Sequence, residues 1–298
     1  MPRIAGSLPC YVTLSCSRLY VEASQLEAAD LALAHGFDAV EPDVGFLMSL
    51  TDAGAEAIAR AIAGRSLLFG PANLPFSLSG PEPEFRAGLR RLPAVAARTA
   101  ALGVPGFIRW LTPHSNELTY RRHFDLVAER VCLCADVLAA HGQRLGLEYL
   151  GPKTAWAGGR FTFVHTLVEL AELIEAAGAS NVGFQLDSFH WHTAGEGAED
   201  LLRAAKIGIV CLELNDVVPG RPEQVDRERR LPRPDGEIDM GTFIRTVFGT
   251  GYAGPVHAEP HDASLRGRPR DQVVAATAAA LTSTLALARS PTPGTPKG

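Results

Sequence analysis

Residues 182–195 read VGFQLDSFHWHTAG. The run begins apolar, is too short for a helix, and closes on Asp187, which is the texture of a buried strand. Working outward, the same shape returns on both sides. RLGLEYL at 144–150 holds Glu148, IVCLELN at 209–215 holds Glu213, and PVHAEP at 255–260 holds Glu259. Further out, YVTLSC at 11–16, AVEPDV at 39–44, LLFGP at 67–71 and GFIRWL at 106–111 complete eight short apolar runs.

A stretch with helical spacing follows each run, at 25–35, 51–63, 83–102, 120–141, 163–177, 199–205, 240–248 and 270–288. Gly36, Gly142, Gly178 and Gly249 are placed to stop four of them, and Thr51 to cap one. Pro93 predicts a kink or break within 83–102. Eight alternating strand–helix units imply parallel strands with crossover helices. About 35 residues per unit suits a single α/β domain, a (β/α)₈ TIM barrel of ~250 residues with insertions. A doubly wound open sheet fits less well, because neither GxGxxG nor a phosphate loop follows the first run. The domain takes in 1–289, and the Pro/Gly-rich end at 290–298 reads as a disordered tail. The Pro- and charge-rich segment 217–236 reads as an insertion after the seventh strand and as a candidate active-site loop.

Acidic residues outnumber basic ones, 33 to 28, for a net charge of −5 without a long basic run. That argues against nucleic acid or a membrane surface as partner. No run of 18 apolar residues predicts a transmembrane helix, and MPRIAGSLPC lacks the apolar stretch of a signal peptide. The five cysteines form no CxxC pair and read as free thiols in a reducing, cytoplasmic compartment.

In such a barrel the chemistry sits at the C-terminal ends of the strands. Glu148, Asp187, Glu213 and Glu259 fall there on four consecutive strands. One such acid reads as an inter-strand ion pair, but four converging carboxylates would repel one another and raise each other's pKa. Burying them costs several kcal/mol unless a cation joins them. All-oxygen ligation favours Mn²⁺ or Mg²⁺ over Zn²⁺, with Co²⁺ as a third candidate. His190 follows Asp187 by three residues. His192, His257 and His261 read as loop or rim residues, with His257 turned away from the ligand-facing side. Glu41 and Asp43 share a side of the second strand, and of the two we carry Glu41 forward as a pocket residue. Trp110, Trp156 and Trp191 suit a sugar face as well as a core.

The runs LEYLGPKT (147–154), VGFQLDSFHWHTAG (182–195), LELNDVVPG (212–220) and GYAGPVHAEPH (251–261) resemble the xylose isomerase-like TIM-barrel superfamily, usually labelled sugar phosphate isomerase/epimerase. The resemblance runs from the first strand to the eighth helix. It is most specific in LDSFH and in GY-x-GP-V-x-x-E. Carried over by position, it implies a metal held by Glu148, Asp187, Glu213 and Glu259. It also implies catalysis by Glu148 and Glu259 with His190, and substrate contacts from His190 and from Arg221 or Arg227. The sequence departs at Glu213, where epimerase-type members have His and some dehydratase-type members have Gln.

Such a site suits proton abstraction beside a carbonyl through an enediolate. The expected function is a metal-dependent isomerase or epimerase of carbohydrate metabolism acting on a small, non-phosphorylated sugar-like ketone. The alternative is a lyase or dehydratase on a keto-sugar, keto-glycoside or cyclic keto-acid. A DNA-repair endonuclease fits the charge poorly, and a carbohydrate-binding barrel without activity would leave the four acids unexplained. A homo-oligomer is left open.

Overall fold

The computed structural model describes residues 3–289, so the expected tail at 290–298 lies outside the described residues. The sheet strands are β1 (Tyr11–Leu14), β2 (Ala39–Val40), β3 (Leu68–Phe69), β4 (Ala72–Asn73) and β5 (Gly106–Trp110). They continue with β6 (Arg144–Glu148), β7 (Val182–Asp187), β8 (Ile209–Glu213) and β9 (Pro255–His257). Their order is β3-β2-β1-β9-β8-β7-β6-β5-β4, and every pairing is parallel. The two end strands, β3 and β4, are separated only by residues 70 and 71. They are halves of one strand, so the sheet closes on itself as an eight-staved TIM barrel. The third stave thus extends to Asn73, beyond the expected 67–71.

The helices are α1 (Gln25–Ala34), α2 (Val44–Ser49), α3 (Asp52–Ala63), α4 (Glu82–Ala101), α5 (Tyr120–Ala139) and α6 (Lys153–Trp156). After them come α7 (Leu167–Ala177), α8 (Ser188–Thr193), α9 (Ala198–Ile207), α10 (Met240–Gly249) and α11 (Arg270–Leu285). Thr51 caps α3 through its hydroxyl, and Thr166 with Glu169 forms a capping box on α7. The helix α4 does not break at Pro93; Phe85, Leu92, Val95 and Ala96 bury its inner face on both sides of the proline. The second strand ends at Val40, not at Val44. Pro42 has no N–H for a ladder, and the Asp43 carboxylate instead accepts from Phe46 N at 2.9 Å, capping α2.

Leu145, Leu147, Phe184, Leu186, Leu212 and Val256 are fully buried in the apolar core. By length and composition Arg270–Arg289 is apolar enough to cross a membrane, unlike the sequence expectation. In this fold its Val273, Val274, Leu281 and Leu285 are buried. All five cysteines are free. Burial pushes Cys10 up to about 11 and Cys16 and Cys134 up to about 12, so these remain thiols at neutral pH.

The start of α7 carries a pH-sensitive contact. Glu196 accepts from Leu167 N at 2.6 Å and from the Tyr149 hydroxyl. Burial outweighs both hydrogen bonds and pushes its carboxyl up to about 8. The fold therefore favours the protonated form, and that stabilisation is full below about 4.5 and fades as pH rises towards 8. Glu196→Gln is expected to flatten this dependence: the variant's melting temperature, measured against the parent's, gains from pH 5 to pH 8. A variant that loses ground over that interval would show a carboxylate held charged by its two donors.

Candidate active site

Glu148, Asp187 and Glu213 are the last residues of β6, β7 and β8, and Glu259 lies two residues beyond β9. The ladder pairs Glu213 with Asp187 on one side and with His257 on the other. Because side chains repeat every two residues on a strand, the acids share the barrel mouth. Each of the four offers an oxygen, and these oxygens lie within 4.8 Å of one another. The first three are at most 2% exposed.

The residues two before or after these acids form a supporting layer. Gln185 Nε2 donates to Glu148 Oε2 at 3.1 Å and to Glu213 Oε1 at 2.8 Å. Asn215 Nδ2 donates to Asp187 Oδ2 at 2.8 Å, and the Asn215 side-chain oxygen Oδ1 accepts from Glu259 N at 2.8 Å. His257 Nε2 stands 2.5 Å from Glu213 Oε1, with Nδ1 3.5 Å from the buried Cys211 Sγ. His257 therefore faces inward, contrary to the sequence expectation. Two residues separate it from Glu259, and the strand period returns both to one side.

Two arginines that the sequence reading did not single out enter the cluster. Arg18 stands on the short turn Ser17–Leu19 just after β1. Its Nη1 donates to Glu213 Oε1 at 2.7 Å and Glu259 Oε1 at 2.6 Å, and its Nη2 to Asn73 Oδ1 at 3.2 Å. Arg229 comes from the loop after β8. It meets Asp187 Oδ2 at 2.6 Å, Glu259 Oε2 at 3.1 Å and Asp226 Oδ1 at 2.8 Å. The segment 217–236 thus reaches the site, through Asp226 and Arg229. Arg221, by contrast, has a side chain 37% exposed and pairs with Glu228 on the rim. The loop arginine at the carboxylates is Arg229, neither Arg221 nor Arg227.

Burial pushes Glu148 well above the usual carboxylate range, and the charges of Glu213, Glu259 and Asp187 add to it. Asp187 and Glu259 are also raised by burial, with Arg229 and Arg18 offsetting part of the effect. Glu213 is equally buried, yet Arg18 and His257 outweigh the desolvation and hold it well below its ordinary value. Glu148 Oε1 and Glu213 Oε2 are buried without a hydrogen-bond donor. Two bare carboxylate oxygens in an all-oxygen cluster fit a hard divalent cation, so Glu148, Asp187, Glu213 and Glu259 are a chemically suitable set of ligands.

His190 is fully buried on α8. Its Nδ1 accepts from Gly151 N at 3.2 Å, which places the proton on Nε2. That nitrogen points between Glu148 Oε1 and Asp226 Oδ1, 3.5 Å from each. Burial, then Arg229, lowers its pKa to about 3, so the ring is neutral and a donor. Glu41 accepts from Asn73 Nδ2 at the rim and lines a cavity of about 760 Å³ with Ser17, Tyr20, Gln25, Asp43 and Asn73. His192 and Arg221 line a second cavity of about 410 Å³. His261 stands at the rim, 3.7 Å from Glu259. Trp110 is 39% exposed beneath the Arg109 guanidinium, and Trp156 lies against His165. Trp191 is a core residue, packed on Phe243 and donating to Gly197 O.

A closed eight-stave barrel with a polar, carboxylate-lined C-terminal mouth defines the class. Over residues 29–284 the sequence matches the xylose isomerase-like TIM barrel family, and the chain belongs to that family. A xylose isomerase domain protein from Alicyclobacillus acidocaldarius is 32% identical. Its superposition covers 94% of this chain and 99% of that one, with a TM-score of 0.83. The IolI protein with a bound zinc atom shares the fold at 16% identity and a TM-score of 0.78, over 93% and 98% of the two chains. An inosose isomerase from Halalkalibacterium halodurans is 26% identical over 125 residues, a stretch that is 42% of this chain and 42% of that protein.

Proposed function

We propose that this chain is a divalent-metal-dependent isomerase or epimerase that moves a proton on the carbon beside a carbonyl of a sugar- or polyol-derived ketone. The observation that carries the reading is the convergence of four strand-end carboxylates within 4.8 Å. The likeness to an inosose isomerase supports a cyclic polyol ketone as the first substrate class to try. The oxygen donors favour Mn²⁺ or Mg²⁺, with Co²⁺ next, and the zinc bound in the IolI structure supports a divalent ion as the cofactor to try. Glu148, Asp187, Glu213 and Glu259 would hold such an ion, which would supply Lewis-acid stabilisation of negative charge developing beside the carbonyl.

The chain's own groups divide the remaining work. Glu148 and Glu259 are the outermost pair of the four, on β6 and after β9, and act as base and acid on opposite faces of the substrate. His190 donates Nε2–H to a substrate oxygen. Glu41 reads hydroxyls at the rim cavity, while Trp110 and Trp156 offer aromatic faces and Arg221 an outer contact. The five free cysteines support a cytoplasmic setting.

The test incubates purified, Mn²⁺-loaded protein in D₂O with a panel of inososes, ketoses and keto-glycosides, followed by NMR. The expected result is deuterium at one carbon beside the carbonyl, with product of unchanged composition. Loss of water or of a glycosidic group in place of rearrangement would make the chain a lyase.

A further inference from the structure

Arg18 sits on oxygens that a cation would need. Its Nη1 bridges Glu213 Oε1 and Glu259 Oε1, at 2.7 and 2.6 Å. Its Nε has no acceptor, and 3.7 Å away Glu41 Oε2 is also buried without a donor. Two unpartnered groups of opposite charge thus face each other just beyond contact, beside a guanidinium already engaged elsewhere. A small shift of Arg18 towards Glu41 would complete that pair and release the two glutamates.

The charge count leaves room for a divalent ion beside Arg18. Four carboxylates bring four negative charges, and Arg18 and Arg229 return two. A divalent ion would balance the remaining two, and Glu41 and Asp226, both partly exposed at the rim, add two further negative charges that favour a cation here. We propose that Arg18 is a built-in counter-cation that exchanges partners: it holds Glu213 and Glu259 in the metal-free protein and turns to Glu41 when a divalent ion takes them. The proposal rests on the reading of the four carboxylates as a metal site. It makes Arg18 and Glu41 the residues that set metal affinity without ligating the ion.

Titration calorimetry of Mn²⁺ into the metal-stripped full-length protein, with melting curves of the metal-free forms, tests it. Arg18→Met removes both the competitor and a positive charge beside the four carboxylates. Its Mn²⁺ affinity should rise at least ~10-fold, and its metal-free melting temperature should fall. Glu41→Gln removes the alternative partner and should weaken Mn²⁺ binding about fivefold. In the Arg18→Met background the Glu41→Gln effect should vanish. Arg18→Lys, which keeps the charge without the two-pronged fork, gives an intermediate rise and serves if the methionine variant does not fold.

Unchanged or weaker binding by both Arg18 variants overturns the proposal and leaves the metal site standing. A Glu41→Gln loss that persists without Arg18 is a plain field effect and overturns the partner exchange. If neither the parent nor any Arg18 variant binds Mn²⁺, the metal reading itself fails and the proposal falls with it. Binding by the variants alone would show Arg18 blocking the ion without changing partners, and overturns the exchange.

Discussion

Glutamine at Glu148 or at Glu259 is expected to cost about 10²–10⁴-fold in turnover while Mn²⁺ still binds. The amide keeps an oxygen for the ion but cannot shuttle a proton. The two positions differ in their surroundings. Glu148 Oε1 has no hydrogen-bond donor, and only Gln185 touches the other oxygen. Both oxygens of Glu259 are engaged, by Arg18 and by Arg229. Glu148 is therefore the freer carboxylate, and Glu148→Gln should show the larger loss of solvent exchange at the substrate carbon. His190→Ala should chiefly raise KM, since its neutral ring donates and does not abstract. The check is exchange in D₂O with metal-loaded variants. Should both glutamine variants exchange at the parent rate, the proton is carried by another group, with His190 and Glu41 the nearest choices.

The barrel was legible because parallel strands buried on both faces leave short apolar runs, and each run here is followed by helical spacing. The four acids were legible for the same reason, since a carboxylate at the end of such a run has nowhere else to point. What the sequence hid depends on the third dimension. Gln185 lies two residues before Asp187, and His257 two before Glu259. The two-residue period places both inward, and applied strictly it would have found them. Arg18 gave only the weak signal of a cation four residues past Leu14, at the end of β1. Arg229 was one of several arginines in 217–236, and its burial comes from Asp187 and Asp226 accepting its two guanidinium nitrogens. No spacing rule separates it from Arg221 or Arg227. Asp43 misled because a cap and a strand residue look alike after Pro42 until the chain turns.

Removing the Glu213 carboxylate should take metal affinity and activity together, and it should also unsettle the metal-free fold. Glu213 Oε1 is the meeting point of Arg18, Gln185 and His257, and its side chain has no exposed surface. In Glu213→Ala the Arg18 charge keeps Glu259 but loses its most buried partner, and Gln185 and His257 lose an acceptor. Breaking a buried pair from one side typically costs ~3–5 kcal/mol, because the other charge stays behind. Urea melts of the metal-free protein would read that loss, and calorimetry with Mn²⁺ the loss of affinity. Glu213→Gln keeps the acceptor oxygen, so it should recover much of the stability while binding Mn²⁺ more weakly than the parent. If Glu213→Ala instead binds Mn²⁺ as the parent does and keeps full turnover, Glu213 belongs only to the Arg18 pair, and the ion is held by the other three carboxylates.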